Sequence, residues 1–150
     1  MRLKPAALTL SASALVAIAG YEGYSSVAYT PVQGDVPTIG WGTTSSVKAG
    51  DTITPTQALV RLERDAELAK AGVARCVNVP LTQGELDAYT SLAYNIGSSA
   101  FCSSTLVRKL NRKDYEGACE EIRRWTYFKG RQLPGLIRRR EQEYKTCMKK

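Results

Sequence analysis

Between Val27 and Thr44 the chain carries Pro31, Gly34, Pro37, Gly40 and Gly42, a density of breakers that no helix survives. The stretch must be strands and turns, and Thr38-Ile39-Gly40-Trp41-Gly42 alternates as a short strand does. The flanking sequence has helical spacing instead. Thr54-Pro55 supplies an N-cap and a proline at the first helical position. Ala58, Leu59, Leu62, Ala66, Ala69 and Val73 then carry an apolar face to about Cys76. Arg61, Glu63, Arg64, Asp65, Glu67 and Lys70 decorate the remainder, and a solvated helix of that length commonly bridges two lobes. The chain reads as α+β: a small hairpin lobe over about 24–53, a connecting helix over about 54–76 and a helical lobe over about 77–150.

In the helical lobe, Thr82 and Glu85 form a capping-box pattern ahead of an apolar face at Leu86, Tyr89, Leu92 and Ala93. That helix should end at Asn95-Ile96-Gly97. A short helix near Ser104–Leu110 follows, then one over Tyr115–Trp125 capped by Asp114. Tyr127 to Pro134 reads as a loop containing Gly130. The last helix, Leu136–Met148, would turn Leu136, Ile137, Tyr144 and Cys147 inward.

Residues 1–21 admit two readings. Arg2 and Lys4 precede an uncharged run from Pro5 to Tyr21, which suits a signal or weak membrane anchor. The run falls short of the roughly 20 strongly apolar residues that a span needs. The other reading, which is preferred, is a buried helix over about 9–22. Thr9 or Ser11 would cap it, Leu15, Ile18 and Ala19 would face inward, and Gly23 would serve as C-cap.

Charge and cysteine content narrow the chemistry. Residues 108–150 hold 14 Lys/Arg against 6 Asp/Glu, so most of the net charge of +7 sits in the last third. Such a patch fits an anionic partner or a solvated basic face. There is no histidine, so acid/base work falls to carboxylates. Cys76, Cys102, Cys119 and Cys147 lack CxxC spacing, and a zinc site would need all four. Two disulfides and an oxidising compartment are the preferred reading, over reduced core thiols. Of three possible pairings, Cys76–Cys102 and Cys119–Cys147 join neighbouring helices of the helical lobe.

Glu22 is the only charged residue between Lys4 and Asp35. At the end of an apolar helix, beside Tyr21 and Tyr24, it would be partly desolvated. Desolvation favours the protonated form of a carboxyl and suits it to general acid work. Asp35 is either a second carboxylate across a cleft, activating water, or a turn residue after Gly34. Thr38 can hold a water by its hydroxyl or simply fill a strand position.

Taken in order, Y-E-G, A-Y, P-T-I-G-W-G-T-T, L-T-Q-G-E-L-D-A, Y-N-I-G, S-T-L-V-R-K-L-N, G-A-C-E-E-I-R-R-W and L-P-G-L-I-R-R-R-E-Q-E resemble the phage-type lysozymes (endolysins). The resemblance covers about residues 10–148. It implies a lysozyme-like fold and hydrolysis of the glycosidic bond after N-acetylmuramic acid in peptidoglycan, by a monomer with no metal or cofactor. It maps the catalytic acid onto Glu22 and the water-holding threonine onto Thr38. The family's aspartate falls at Pro31 here, and Asp35, three residues before Thr38, is the nearest carboxylate to take its role. The family's G-H-T is altered to Gly42-Thr43-Thr44.

Tyr29 and Trp41 are candidates for the hairpin side of a glycan groove, and Asn95 and Gly97 for its floor. The resemblance also implies that one of Arg138, Arg139 and Arg140 on the last helix pairs with Glu22 or a neighbouring acid, the other two facing solvent or the anionic wall. Arg139 is the candidate for structural support, and which arginine meets Glu22 stays open. Peptidoglycan is the expected partner and nucleic acid is not, since no recognisable motif for it occurs. A membrane enters only if the N-terminal segment acts as a signal or anchor. The expected site of action is the host periplasm, reached by holin-dependent release or by that segment. A lytic transglycosylase using Glu22 alone, and a non-catalytic wall-binding module, are the rival functions.

Overall fold

The computed structural model describes residues 1–149; the expected end of the helical lobe, residue 150, lies outside them. The chain opens with a bridge between Leu3 and Leu81, closed by mutual N–H···O bonds of 2.8 and 2.7 Å, and a 3-10 turn at Pro5–Ala7. Helix α1 spans Ala12–Glu22. Ser11 caps it by accepting the Ala14 N–H, and in turn donates its hydroxyl to Asp87 at 2.6 Å. Ala14 and Ile18 are its buried positions, Leu15 and Ala19 are partly covered and Val16 is exposed, so the helix packs on the molecule by one face. Gly23 ends it at φ +68°, a conformation that costs glycine little.

Strands β1 (Ser25–Tyr29) and β2 (Thr38–Gly40) pair antiparallel, with Ser25 opposite Gly40 and Tyr29 opposite Thr38. All three residues of β2 are buried, so the strand is covered on both faces and the expected alternation is absent.

Helix α2 spans Pro55–Cys76, with Pro55 in its first turn and a complete capping box between Thr54 and Gln57. Its buried stripe is Ala58, Leu62, Ala66, Ala69, Gly72 and Val73. Leu59 is half exposed instead, because it sits about 100° around the helix from Ala58. The capping box at Thr82 and Glu85 also forms and opens α3, Gln83–Ile96. A short α4 follows at Ser98–Cys102, which sequence spacing did not suggest, then α5 at Thr105–Asn111. Asp114 caps α6, Tyr115–Glu121, but the expected helix to Trp125 tightens into a 3-10 turn at Ile122–Arg124.

The expected loop at Tyr127–Pro134 is a miniature hairpin, β3 (Tyr127–Phe128) against β4 (Arg131–Gln132). Lys129 and Gly130 turn it, with φ of 48° and 78°, as a two-residue I′ turn requires. Helix α7 begins earlier than expected, running Pro134–Cys147 with proline in its first turn. Its inner face is charged. Arg139, Arg140, Glu143 and Cys147 are buried, Leu136 and Tyr144 are partly covered, and Ile137 is 43% exposed. Ile137 is displaced because the stripe at 139, 143 and 147 takes the face toward α3.

Three apolar clusters hold these elements. The largest joins Val73 to residues of α3–α6, including Leu86, Leu92, Phe101 and Leu110. Ile18 meets Leu62 and Ala66 where α1 crosses α2, and Ile39, Ile53 and Ala58 pack beneath the hairpin. Disulfides Cys76–Cys102 and Cys119–Cys147 form as expected, tying α2 to α4 and α6 to α7. At the rear, Arg2 grips Glu85 through two hydrogen bonds and lies 3.8 Å from the centre of the Tyr115 ring. A cavity of about 570 Å³ there is lined by residues from both ends of the chain, Met1, Arg2 and Lys149 among them.

Candidate active site

Glu22 is the last residue of α1, so the helix delivers its side chain to the place where hairpin and α7 converge. The side chain is 21% exposed. Its Oε1 accepts from Arg139 Nη1 at 2.7 Å. Its Oε2 faces Gly42, where a Cβ would come within 3.0 Å of that oxygen and 3.2 Å of Cγ. Gly42 also has φ +86°, so two independent demands select glycine there. One oxygen is thus held by a cation, and the other lies beneath the hairpin.

Arg139 owes its position to a buried network. Its Nη2 donates to the Ser91 carbonyl at 3.1 Å and its Nε to Glu143 Oε1 at 3.0 Å. The Tyr21 ring centre lies 4.7 Å from the guanidinium, a cation–π distance. Glu143 takes a further hydroxyl bond from Ser91 at 2.6 Å and one from Arg140 Nη1 at 2.5 Å. Arg140 donates Nε to the Trp125 carbonyl at 2.8 Å, and Nη2 to Asn95 Oδ1. Arg140 is therefore fully buried, where solvent or wall contact was expected, because Glu143 compensates its charge. Burial lowers the Arg140 pKa, and the adjacent Glu143 carboxylate opposes that shift. Two arginines and two glutamates balance in charge, and every guanidinium nitrogen makes a hydrogen bond, which is how buried ions are tolerated.

On the other side, Tyr94 donates its hydroxyl to the Trp41 carbonyl at 2.8 Å. Burial, then the carboxylates of Glu22 and Asp65, push the Tyr94 pKa far above its ordinary value, so the hydroxyl stays neutral and donating. Trp41 packs on both smaller apolar clusters and against Tyr24, ring centres 4.9 Å apart. Thr43, buried, donates to Asp65 at 2.7 Å and anchors the hairpin's end to α2. A groove of about 380 Å³ runs from Gly42 past Tyr94 and Asp65 to Gly97, Ser98 and Arg75.

The structure thus brings Glu22 and Arg139 into contact, and joins Trp41 to Tyr94, which lines the groove with Gly97. Asn95, exposed near the end of α3, accepts from Arg140 Nη2. Thr38 is buried in β2, its hydroxyl 3.4 Å from the Val36 carbonyl, and Tyr29 opposite it is 45% exposed. Asp35 sits at the exposed turn, its N–H bonded to the Val32 carbonyl at 2.9 Å and its carboxylate 3.9 Å from Lys129 Nζ. Sequence reasoning missed Gly42, Ser91, Tyr94 and Glu143. The R-R-R-x-x-E spacing held the one available signal, since Glu143 is i+4 from Arg139 and i+3 from Arg140. Among the described residues no group of three Cys, Asp or Glu is arranged to hold a metal.

A glutamate side chain paired with an arginine and packed beneath Gly42, which lines a polar groove, sits in a mostly helical fold with small antiparallel sheets, a lysozyme-like architecture. Residues 19–143 match the family model for phage lysozyme, and the chain belongs to that family. It is 43% identical over 138 residues to an endolysin of Acyrthosiphon pisum secondary endosymbiont phage 1, covering 89% of this chain and 94% of that protein. It is 34% identical over 129 residues to the SAR-endolysin of Enterobacteria phage P21, covering 86% and 78%. Its fold superposes on an endolysin from Escherichia coli O157:H7 phage FAHEc1 with a TM-score of 0.82 at 34% identity, covering 99% and 96% of the two chains.

Proposed function

We propose that the chain is an endolysin that hydrolyses the β-1,4 bond between N-acetylmuramic acid and N-acetylglucosamine in bacterial peptidoglycan and so lyses the host cell. The observation that carries this reading is the asymmetric hold on Glu22. Arg139 occupies Oε1, which leaves Oε2, beneath Gly42, as the oxygen that carries and delivers a proton to the leaving glycosidic oxygen. Asp35, with Thr38, positions the attacking water on the opposite face of the sugar. Family resemblance suggests inversion, for which the two carboxyls would stand about 6.5–9.5 Å apart. Tyr29 and Trp41 on the hairpin side, with Asn95 and Gly97 beneath, shape the glycan path.

Glu22→Gln is the direct test. Loss of the general acid should reduce lysis of purified walls by about 100-fold or more while the circular dichroism spectrum stays unchanged. Full activity in that variant would overturn the assignment. Mass spectrometry of wild-type products separates hydrolysis from transglycosylation, since only hydrolysis adds one water per cleavage.

The site of action is the cell wall of the host periplasm, and the working form is a monomer. Delivery proceeds by holin-dependent release or through the N-terminal segment acting first as a signal anchor, a route in keeping with relatives named SAR-endolysins. Among the described residues no helix is long and apolar enough to cross a membrane. In the folded enzyme Leu8 and Ile18 are core residues, so any membrane role of that segment precedes this form.

A further inference from the structure

The hairpin β3–β4 presents an unusual surface. Tyr127 is 64% exposed and Phe128 46%, beside the cations Lys129 and Arg131. In the ribbon Phe128 lies opposite Arg131, and Lys129 Nζ stands 5.4 Å from the centre of the Phe128 ring. The base of the ribbon is fixed: Leu133 donates to the Thr126 carbonyl at 3.0 Å and Gln132 to the Thr126 hydroxyl at 3.0 Å, with Thr126 itself buried. Its tip reaches the front of the molecule, where Lys129 meets Asp35 on the β1–β2 turn. Successive strand residues face opposite sides, so one face of the ribbon carries Phe128 with Arg131 and the other carries Tyr127 with Gln132, an exposed aromatic on each.

We propose that this hairpin is a docking surface for the peptidoglycan polymer outside the cleft, binding a stretch of wall that the active site does not itself hold. The chemistry is complementary on both counts. Pyranose rings present C–H faces that pack on aromatic side chains, and the peptide stems of the wall carry carboxylates that pair with Arg131 and Lys129. The flanking cations select an anionic polymer over a neutral glycan. The inference rests on the wall-cleaving function proposed above and extends it from the bond that is cut to the way the enzyme stays on an insoluble substrate.

The test uses Tyr127→Ser, Phe128→Ser and Arg131→Gln combined in the full chain, leaving Lys129 in place because it touches Asp35. Binding to purified sacculi is measured in a Glu22→Gln background, and cleavage of a short soluble peptidoglycan oligosaccharide in the active background. Sacculus binding should weaken about tenfold and lose part of its salt dependence. The kcat/KM on the short substrate and the thermal midpoint should stay unchanged. Replacing both aromatics by Trp should keep the binding. Unaltered sacculus binding would overturn the proposal, as would an equal loss on the short substrate. So would a loss seen only on phosphatidylglycerol vesicles, which would assign the hairpin to a membrane surface. If the wild-type chain cleaved neither substrate, the proposed activity would fall, whereas the sacculus comparison would still judge the hairpin.

Discussion

The two carboxylates at the front of the molecule are held in opposite ways. Glu22 meets a guanidinium that is itself pinned by Ser91 and Glu143 in the buried layer between α3 and α7, and flanked by the Tyr21 ring of α1. Asp35 rides an exposed turn and has one cation 3.9 Å away. A general acid must aim its proton along one line, and misplacement of about 1 Å can cost 100-fold in rate. A water-activating carboxylate has the latitude of the water between it and the sugar. Under the proposed roles, the tightest network surrounds the proton donor, while the water-activating carboxylate sits on an exposed turn.

Each variant below breaks one side of that contrast. Arg139→Met should have the largest effect. It strips a partner from Glu22 and another from buried Glu143, and should cost about 3–5 kcal/mol. Calorimetry should then show the midpoint lowered by about 10 °C or more. Converting Arg140→Met and Glu143→Leu together keeps the remaining Arg139–Glu22 pair neutral, so the loss should be smaller than for either substitution alone.

Asp35→Asn moves the other side. A base role predicts wall lysis reduced by about 100-fold or more with stability changed by no more than about 1 kcal/mol. Retained lysis would assign Asp35 to the turn alone. Gly42→Ala probes the contact between the regions. The residue would be forced to hold φ +86° against the Glu22 carboxylate. Stability should fall by about 1–2 kcal/mol, and activity should fall more than that stability loss explains. Lys129→Gln is the mildest. Its pair with Asp35 is long and more than a third exposed on both sides, so denaturant midpoints should barely move.

The contrast also marks what sequence could show. Local rules carried the caps at Thr54, Thr82 and Asp114, the end of α1 at Glu22-Gly23, and the strand content of Val27–Thr44. Each depends on neighbours within a few residues. The charged inner face of α7 could not be read that way. Arg140 is buried only because Glu143, Asn95 and the Trp125 carbonyl surround it, and two of those come from distant elements. Hydrophobic periodicity assigned the face to Ile137 for the same reason. The β3–β4 ribbon escaped because two residues per strand give no alternation to detect. Glu22 stood out by its isolation in the chain, and the family resemblance suggested an arginine partner, but the Ser91 and Glu143 contacts that hold this arginine required the folded α3–α7 layer.

The meeting of Met1, Arg2 and Lys149 around one cavity behind α3 has a practical consequence. Ends that lie close together permit circular permutation. A short flexible linker across that cavity, with new termini opened in the exposed loop at Lys48–Gly50, should leave the Arg2–Glu85 grip and the α3–α7 layer undisturbed. The order in which helices leave the ribosome would change, and the acid would still find its arginine.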